Sequence, residues 1–290
     1  MRVGVVFPQT EIGSDPAVIK DYAQAAEELG YLHILVYDHV VGANSASRPN
    51  WRAPYTHLDS FHEPLVLFGY LAGVTKKIEF TTGIIILPQR QTVLVAKQAA
   101  ALDVLSRGRL RLGIGIGWNA VEYEALGENF NNRGKRSEEQ IELMRKLWTE
   151  DAVTFTGKWH KITDAGINPL PVQRPIPIWF GATDDRALRR LAKHGDGWFP
   201  LMAPDDKCQA AIEKVRGYAR AAGRDPAQIG IEGRINFGQG SVESWLKELE
   251  AWKKLGATHV SVNTMKSGLA NPTAHIEAIR RFKKAIAAIL

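Results

Sequence analysis

The feature that most constrains this chain is an alternation repeated along its length. Short apolar runs centre on residues 3, 34, 80, 112, 178, 198, 231 and 260, and nearly all are followed by a stretch with helical spacing. Runs of this kind, rich in Val and Ile and stopped by Gly, Pro or polar residues, read as strands buried on both faces. Between the first two, Ile19, Tyr22, Ala23, Ala26 and Leu29 recur at helical intervals, behind an Asp15–Pro16 start and ahead of Gly30. Residues 64–74, 93–105, 137–148, 184–194, 242–255 and 274–289 read likewise. Strand, helix and strand in this rhythm require parallel strands joined by right-handed crossovers. Eight such strands predict an α/β fold, a TIM (β/α)8 barrel with insertion segments, as one domain over residues 1–290. Its active site is then expected where the strands end. A doubly wound open sheet competes, but the glycine fingerprint it carries after its first strand is missing.

Three stretches depart from the rhythm. Residues 40–63 form a long connection carrying Asn44, Ser47, Pro49, Trp51, Tyr55, His57 and Phe61, the aromatic content of a substrate lid or of a packed surface loop. Residues 153–162 alternate around a glycine and read as a β-hairpin, and the proline-rich segment 169–177 reads as an extended connection. Within residues 102–123, a strand ends in Gly113, Gly115 and Gly117 and leads to a helix starting at Asn119. Glycines there either admit a ligand to the backbone, with helix N–H groups seating an anion, or only let neighbouring elements pack closely.

Composition narrows the partners. The 37 Lys and Arg exceed the 31 Asp and Glu by six, but they are scattered and no nucleic-acid-binding motif is present. Cys208 is the sole cysteine, which excludes an intrachain disulfide and fits a reducing cytoplasm. No apolar run reaches membrane-spanning length, and the N-terminus passes straight into a strand. A cytoplasmic enzyme acting on a small molecule, without nucleic acid or membrane partners, is expected.

On the barrel reading Asp38, His39, Gly83, Gly117, Trp118, Gly181, Trp198 and Asn236 converge on one mouth. His39 suits general acid or base work near neutral pH, or a structural bond to loop backbone. Asp38 suits a cofactor ring N–H, or an anchor for the long loop. Gly83, inside the run 78–87, marks a bulge or a ligand against the backbone. His33, His160, His194 and His259 sit at strand starts, in the hairpin or at a helix end and are set aside. No residues have metal-ligand spacing. Arg133, Arg136 and Glu139 read as an ion network in preference to a cofactor-tail site.

The segments AALDVLSRGRLRLGIGIGWNAVEYEALG, NRGKRSEEQIELMRKLW, PVQRPIPIWFGA and HGDGWFP resemble the bacterial luciferase-like monooxygenase family, in particular its branch assigned to the deazaflavin coenzyme F420. The resemblance runs from residue 1 to about 200 and weakens beyond. It implies a barrel, often a homodimer, with flavin or deazaflavin across the mouth. It implies His39 as the proton-transfer residue and Asp38 as its cofactor-binding neighbour. It further implies a third-strand bulge at Gly83 and Ile84, often with a non-proline cis peptide, backing the ring. Ile116 and Gly117 match the glycine mouth, Gly181 and Ala182 the phosphate side, and Trp118 an apolar wall. Trp118 stands where the family's sugar-phosphate dehydrogenases carry Glu, so their substrate and proton relay are not carried over, and Ala182 replaces a common Gly. The implied activity is hydride transfer between F420 and a small organic substrate. The alternative is an FMN-dependent monooxygenase acting through a flavin C4a-peroxide, and a non-catalytic flavin-binding protein is a third.

Overall fold

The computed structural model describes residues 1–287. Eight parallel staves close into a barrel: β1 (Arg2–Val6), β2 (His33–Val36), the pair β3 (Glu79–Thr82) and β4 (Ile85–Ile86), β5 (Leu110–Gly115), then, beyond a two-stranded hairpin β6 (Val153–Thr156) and β7 (Lys161–Ala165), β8 (Ile178–Gly181), β9 (Gly197–Phe199), β10 (Gly230–Asn236) and β11 (His259–Asn263). β11 pairs with β1 (Val3↔Val260), and the ring closes where β3 and β4 both pair with β5 (Phe80↔Leu110, Ile85↔Ile114). The third stave is broken at Gly83–Ile84, whose peptide bond is cis.

Helices α1 (Pro16–Glu28), α2 (Pro64–Val74), α3 (Thr92–Ser106), α4 (Ala120–Ala125), α5 (Arg133–Thr149), α6 (Asp185–His194), α7 (Asp206–Ala221), α8 (Val242–Lys254) and α9 (Pro272–Ile286) fill the connections. Most start on a side-chain cap: Asp15, Glu63, Asp184, Asp205, Ser241 and Asn271 each accept from a first-turn N–H. α7 is absent from the sequence reading because its apolar residues Cys208, Ile212, Val215 and Ala219 are outnumbered by charged and polar ones. The sequence-expected end of α9 at Ile289 lies outside the described residues. α2 is apolar on all sides. Leu67, Phe68 and Leu71 are buried, while Val66 (71% exposed) and Tyr70 (41%) face out, the Tyr70 hydroxyl donating to the Pro16 carbonyl of α1, and Val93 and Leu94 of the neighbouring α3 are exposed as well.

The lower barrel is sealed by charge rather than by aliphatic layers alone. Arg111 donates to Glu232 at 2.6 Å and to Glu79 at 2.8 Å, and His33 Nε2 lies 2.9 Å from both Glu232 and Ser261. The Arg111 guanidinium also lies over the Trp179 ring, 4.3 Å from its centroid. Burial opposes ionisation of Glu232, but His33 and Arg111 hold its carboxyl well below the usual range. Gly4 makes room for this network: a Cβ there would lie 2.3 Å from the His33 ring.

Candidate active site

Above the sealed layer, the C-terminal ends of the staves surround a cavity of about 590 Å³, within the usual range for ligand sites. Its lining includes Asp38, His39, Gly83, Ile84, Ile116, Gly117, Trp118, Gly181 and Ala182. Trp198 does not reach this mouth. Its ring turns outward under α7, held by an N–H bond to the Ala182 carbonyl at 2.9 Å, while Asn236 lines a neighbouring cavity.

The glycines of β5 serve the neighbouring stave. A Cβ on Gly113 would lie 1.8 Å from the Thr82 carbonyl oxygen, and one on Gly115 would lie 1.8 Å from Ile84 Cδ1. Gly117, at φ +64°, would bring a Cβ within 2.7 Å of Ile86, and Gly181 leaves 3.2 Å to Ile84. Close packing therefore wins over direct ligand approach at Gly113 and Gly115. Its product is a socket that fixes Ile84 as part of the cavity wall. The helix after the glycines, α4, is too short for an anion seat and Asn119 already caps it, accepting from Val121 N at 3.1 Å. The longer α6 borders the cavity instead, through Gly181, Ala182, Thr183, Asp184 and Ala187.

His39 is oriented by a residue that sequence reasoning missed. Its Nδ1 lies 3.0 Å from Glu122 Oε1, and the same oxygen accepts from Val40 N at 3.0 Å, while Gln89 reaches the other oxygen at 3.4 Å. Burial raises the Glu122 carboxyl, but the His39 and Gln89 hydrogen bonds outweigh it and leave the group below its ordinary value. Glu122 is the third helical position after Asn119, where a glutamate normally closes a capping box. Here it turns to the segment after β2 instead. The His39 ring packs against Phe61 and Tyr55, with centroids at 4.8 and 5.0 Å, so residues of the long loop contact it directly. Trp118, which also lines the cavity, is 45% exposed and stands near Trp51.

Asp38 spends its carboxylate on the protein. Oδ1 accepts from Arg90 Nη2 at 2.8 Å and Oδ2 from Ile86 N at 3.0 Å, and Arg90 also donates to Glu63 at 2.7 Å. Burial opposes the Arg90 charge, but these two carboxylates more than restore it. Asp38 thus reaches the long loop only indirectly, through the Arg90–Glu63 pair at its end, while it also lines the cavity. Arg133 also departs from expectation. Among the described residues it joins no ion pair; it lines the cavity and stacks on Phe130 at 3.7 Å, whereas Arg136 pairs with Glu128 and Glu139 with His160. Glu139, His160 and Thr92 form a second hydrogen-bonded chain, 2.8 and 2.6 Å, in nucleophile–base order. Thr92 is buried and bound by Gln140, so the chain ties the hairpin to α3. Among the described residues no group of His, Cys, Asp and Glu could hold a metal ion, and no helix is long and apolar enough to cross a membrane.

A barrel with a broken third stave, an Asp-His step after the second and a glycine-lined fourth is matched by the family model for luciferase-like monooxygenases over residues 1–280. The chain belongs to that family. An uncharacterised protein of Mycobacterium tuberculosis is 33% identical over 78% of this chain and 80% of its own length. The F420-dependent glucose-6-phosphate dehydrogenase of Kineococcus radiotolerans is 29% identical over 84% of this chain and 70% of its own. The fold matches the crystal structure of monooxygenase RslO1 from Streptomyces bottropensis with a TM-score of 0.81 at 19% identity, covering 100% of this chain and 98% of that one. The family's members make this chain an oxidoreductase.

Proposed function

We propose that this enzyme is an F420-dependent oxidoreductase that transfers a hydride between the deazaflavin and a small organic substrate at the C-terminal mouth of the barrel. The observation that carries this reading is the meeting, in one cavity, of His39 with the wall formed by Ile84, Ile116, Gly117, Gly181 and Ala182. The residues fit the cofactor. Ile84, held in its glycine socket, offers a broad apolar backing for a ring, and the Gly181–Thr183 turn beside α6, with Arg133, whose side-chain bond goes to the neutral Phe130 carbonyl, offers room and charge for an anionic tail. When bound, F420 supplies two-electron hydride chemistry without the oxygen reactivity of a flavin.

The protein's own part is orientation and proton handling. Glu122 takes the Nδ1 side of His39, which leaves Nε2 to exchange a proton with a substrate oxygen while Glu122 supports the imidazolium. Phe61, Tyr55 and Trp51, carried on the loop 40–63, shield that side from water. Asp38 positions rather than reacts, by fixing the Ile86 end of the broken stave. We further propose a homodimer built on the outward apolar faces of α2 and α3, where Val66, Tyr70, Val93 and Leu94 are exposed.

Paired titrations of the apo-protein with F420 and with FMN test the cofactor. Selective F420 binding, together with turnover that collapses in His39→Ala while cofactor affinity persists, is the expected result. Selective FMN binding with stoichiometric oxygen consumption refutes the reading in favour of a monooxygenase.

A further inference from the structure

Arg234 is a cation in the main cavity to which the protein gives no counter-charge. Its side chain takes part in no hydrogen bond or ion pair among the described residues, its Nε is buried without a partner, and its guanidinium leans on the Tyr37 ring, 5.1 Å from the centroid. Its place on β10 explains why it is there. Glu232, Arg234 and Asn236 alternate onto one face of the strand. The lowest, Glu232, is consumed by Arg111 and His33. At the rim, the Asn236 carbonyl accepts from Asn263 Nδ2 at 3.2 Å, which leaves its own amide N–H groups available. The middle rung, Arg234, is left to face the cavity.

The barrel's order sets Arg234 opposite the ring wall. Counting staves, β10 is the seventh and the β3–β4 pair the third, half a turn around the ring. Anything seated against Ile84 therefore lies between that wall and Arg234. A second cavity of about 460 Å³, bounded by Met202, Asn236, Ser244, Trp245 and Glu248, shares Leu201 and Arg234 with the first. The nearby acids do not answer Arg234: Asp38 is bound by Arg90, and Asp184 caps α6. Glu248 stands in the wall of the second cavity, where burial pushes its carboxyl up.

We propose that Arg234, with Asn236 beside it, binds an oxyanion group on the substrate, a carboxylate or a phosphate, and so selects charged carbonyl or alcohol substrates over neutral ones. This rests on the functional reading above for which end of the cavity holds substrate. A longer substrate continues past Leu201 into the second cavity. A guanidinium stacked on an aromatic face keeps its in-plane N–H groups free for such a fork.

The test is calorimetric titration of the full-length protein, with and without F420, using matched probes: succinic semialdehyde against butanal, and glyceraldehyde 3-phosphate against glyceraldehyde. The wild type is expected to bind at least one charged probe roughly tenfold to a hundredfold more tightly than its neutral partner. That preference should disappear in Arg234→Met, recover partly in Arg234→Lys and be competed away from the wild type by inorganic phosphate. F420 affinity should not change in either variant. Which charged probe is preferred decides between carboxylate and phosphate. Absence of any charge preference in the wild type overturns the proposal, whatever the folding of the variants. So does an Arg234→Met variant that loses F420 affinity, since Arg234 would then be a cofactor residue. Failure of the wild type to bind F420 overturns the functional reading instead, and the charge preference is still read in the titration without cofactor.

Discussion

Replacing Glu122 with Gln isolates what the carboxylate does for His39. The substitution preserves shape and leaves an amide oxygen able to accept from His39 Nδ1 and Val40 N, now at 3.0 Å each. The amide nitrogen falls on the Gln89 side, the longest contact at 3.4 Å, so little is lost there. The main change is that two charge-assisted hydrogen bonds become neutral. Each step of that kind costs about 1 kcal/mol, so we expect about 2 kcal/mol of stability to be lost. In a domain of 290 residues that lowers the melting temperature by roughly 3 °C. Turnover should fall further if His39 becomes an imidazolium during the reaction. Losing the charge-assisted part of one hydrogen bond, about 1.5–2 kcal/mol, corresponds to a ten- to thirtyfold drop in kcat. The assay is kcat and KM for F420-linked turnover beside calorimetric melting, with F420 affinity as the control. A variant that melts lower yet keeps full kcat would refute the reasoning, because Glu122 would then be only a brace for the loop after β2.

Three other outcomes follow from the same structure. Gly115→Ala should displace Ile84, whose Cδ1 would lie 1.8 Å from the new Cβ, and should cost about 1–3 kcal/mol of stability with weakened F420 binding. Unchanged cofactor affinity would mean Ile84 does not back the ring. If the proposed homodimer forms through α2 and α3, Val66→Glu combined with Leu94→Glu should convert it to monomers in sedimentation velocity, with the melting curve still cooperative, whereas a persistent dimer places the interface elsewhere and a monomeric wild type refutes the dimer. His259 is held down to about 3, first by burial and then by Arg111. The unfolded chain therefore binds the proton that the folded one refuses. This contribution to stability is complete above about pH 6.5 and falls by about 1.4 kcal/mol per unit as pH drops from there towards 3. Urea unfolding between pH 7.5 and 5 should show a flatter pH dependence in His259→Asn than in the wild type, and parallel curves would contradict the assignment.

What could be read in advance depended on whether the signal was local. The staves were legible because Val and Ile runs buried on both faces have few other forms, and the break at Gly83 because a glycine inside such a run needs a reason. The placement of Asp38 and His39 at the mouth followed from where an apolar run stops. Glu122 was hidden because its spacing from Asn119 satisfies a local rule that the fold then overrides. Arg90 and Arg234 were hidden for a different reason. Nothing in the residues around an arginine tells whether carboxylates 27 or 52 positions away will meet it, as Glu63 and Asp38 meet Arg90, or whether none among the described residues will, as for Arg234. Trp198 misled because a three-residue strand gives no reliable phase for which side faces in.

The Arg90 tie has a mechanical meaning. One guanidinium clamps Glu63, which caps α2, and Asp38, which precedes His39, while Asp38 also grips the stave after its break. These three pieces can shift only together. A displacement of the outer face of α2 thus reaches the residue beside His39 through two ionic links, with no loop in between to absorb it. In a dimer built on that face, the paired catalytic centres would share a single stiff lever, and occupancy of one would be felt as strain in the other.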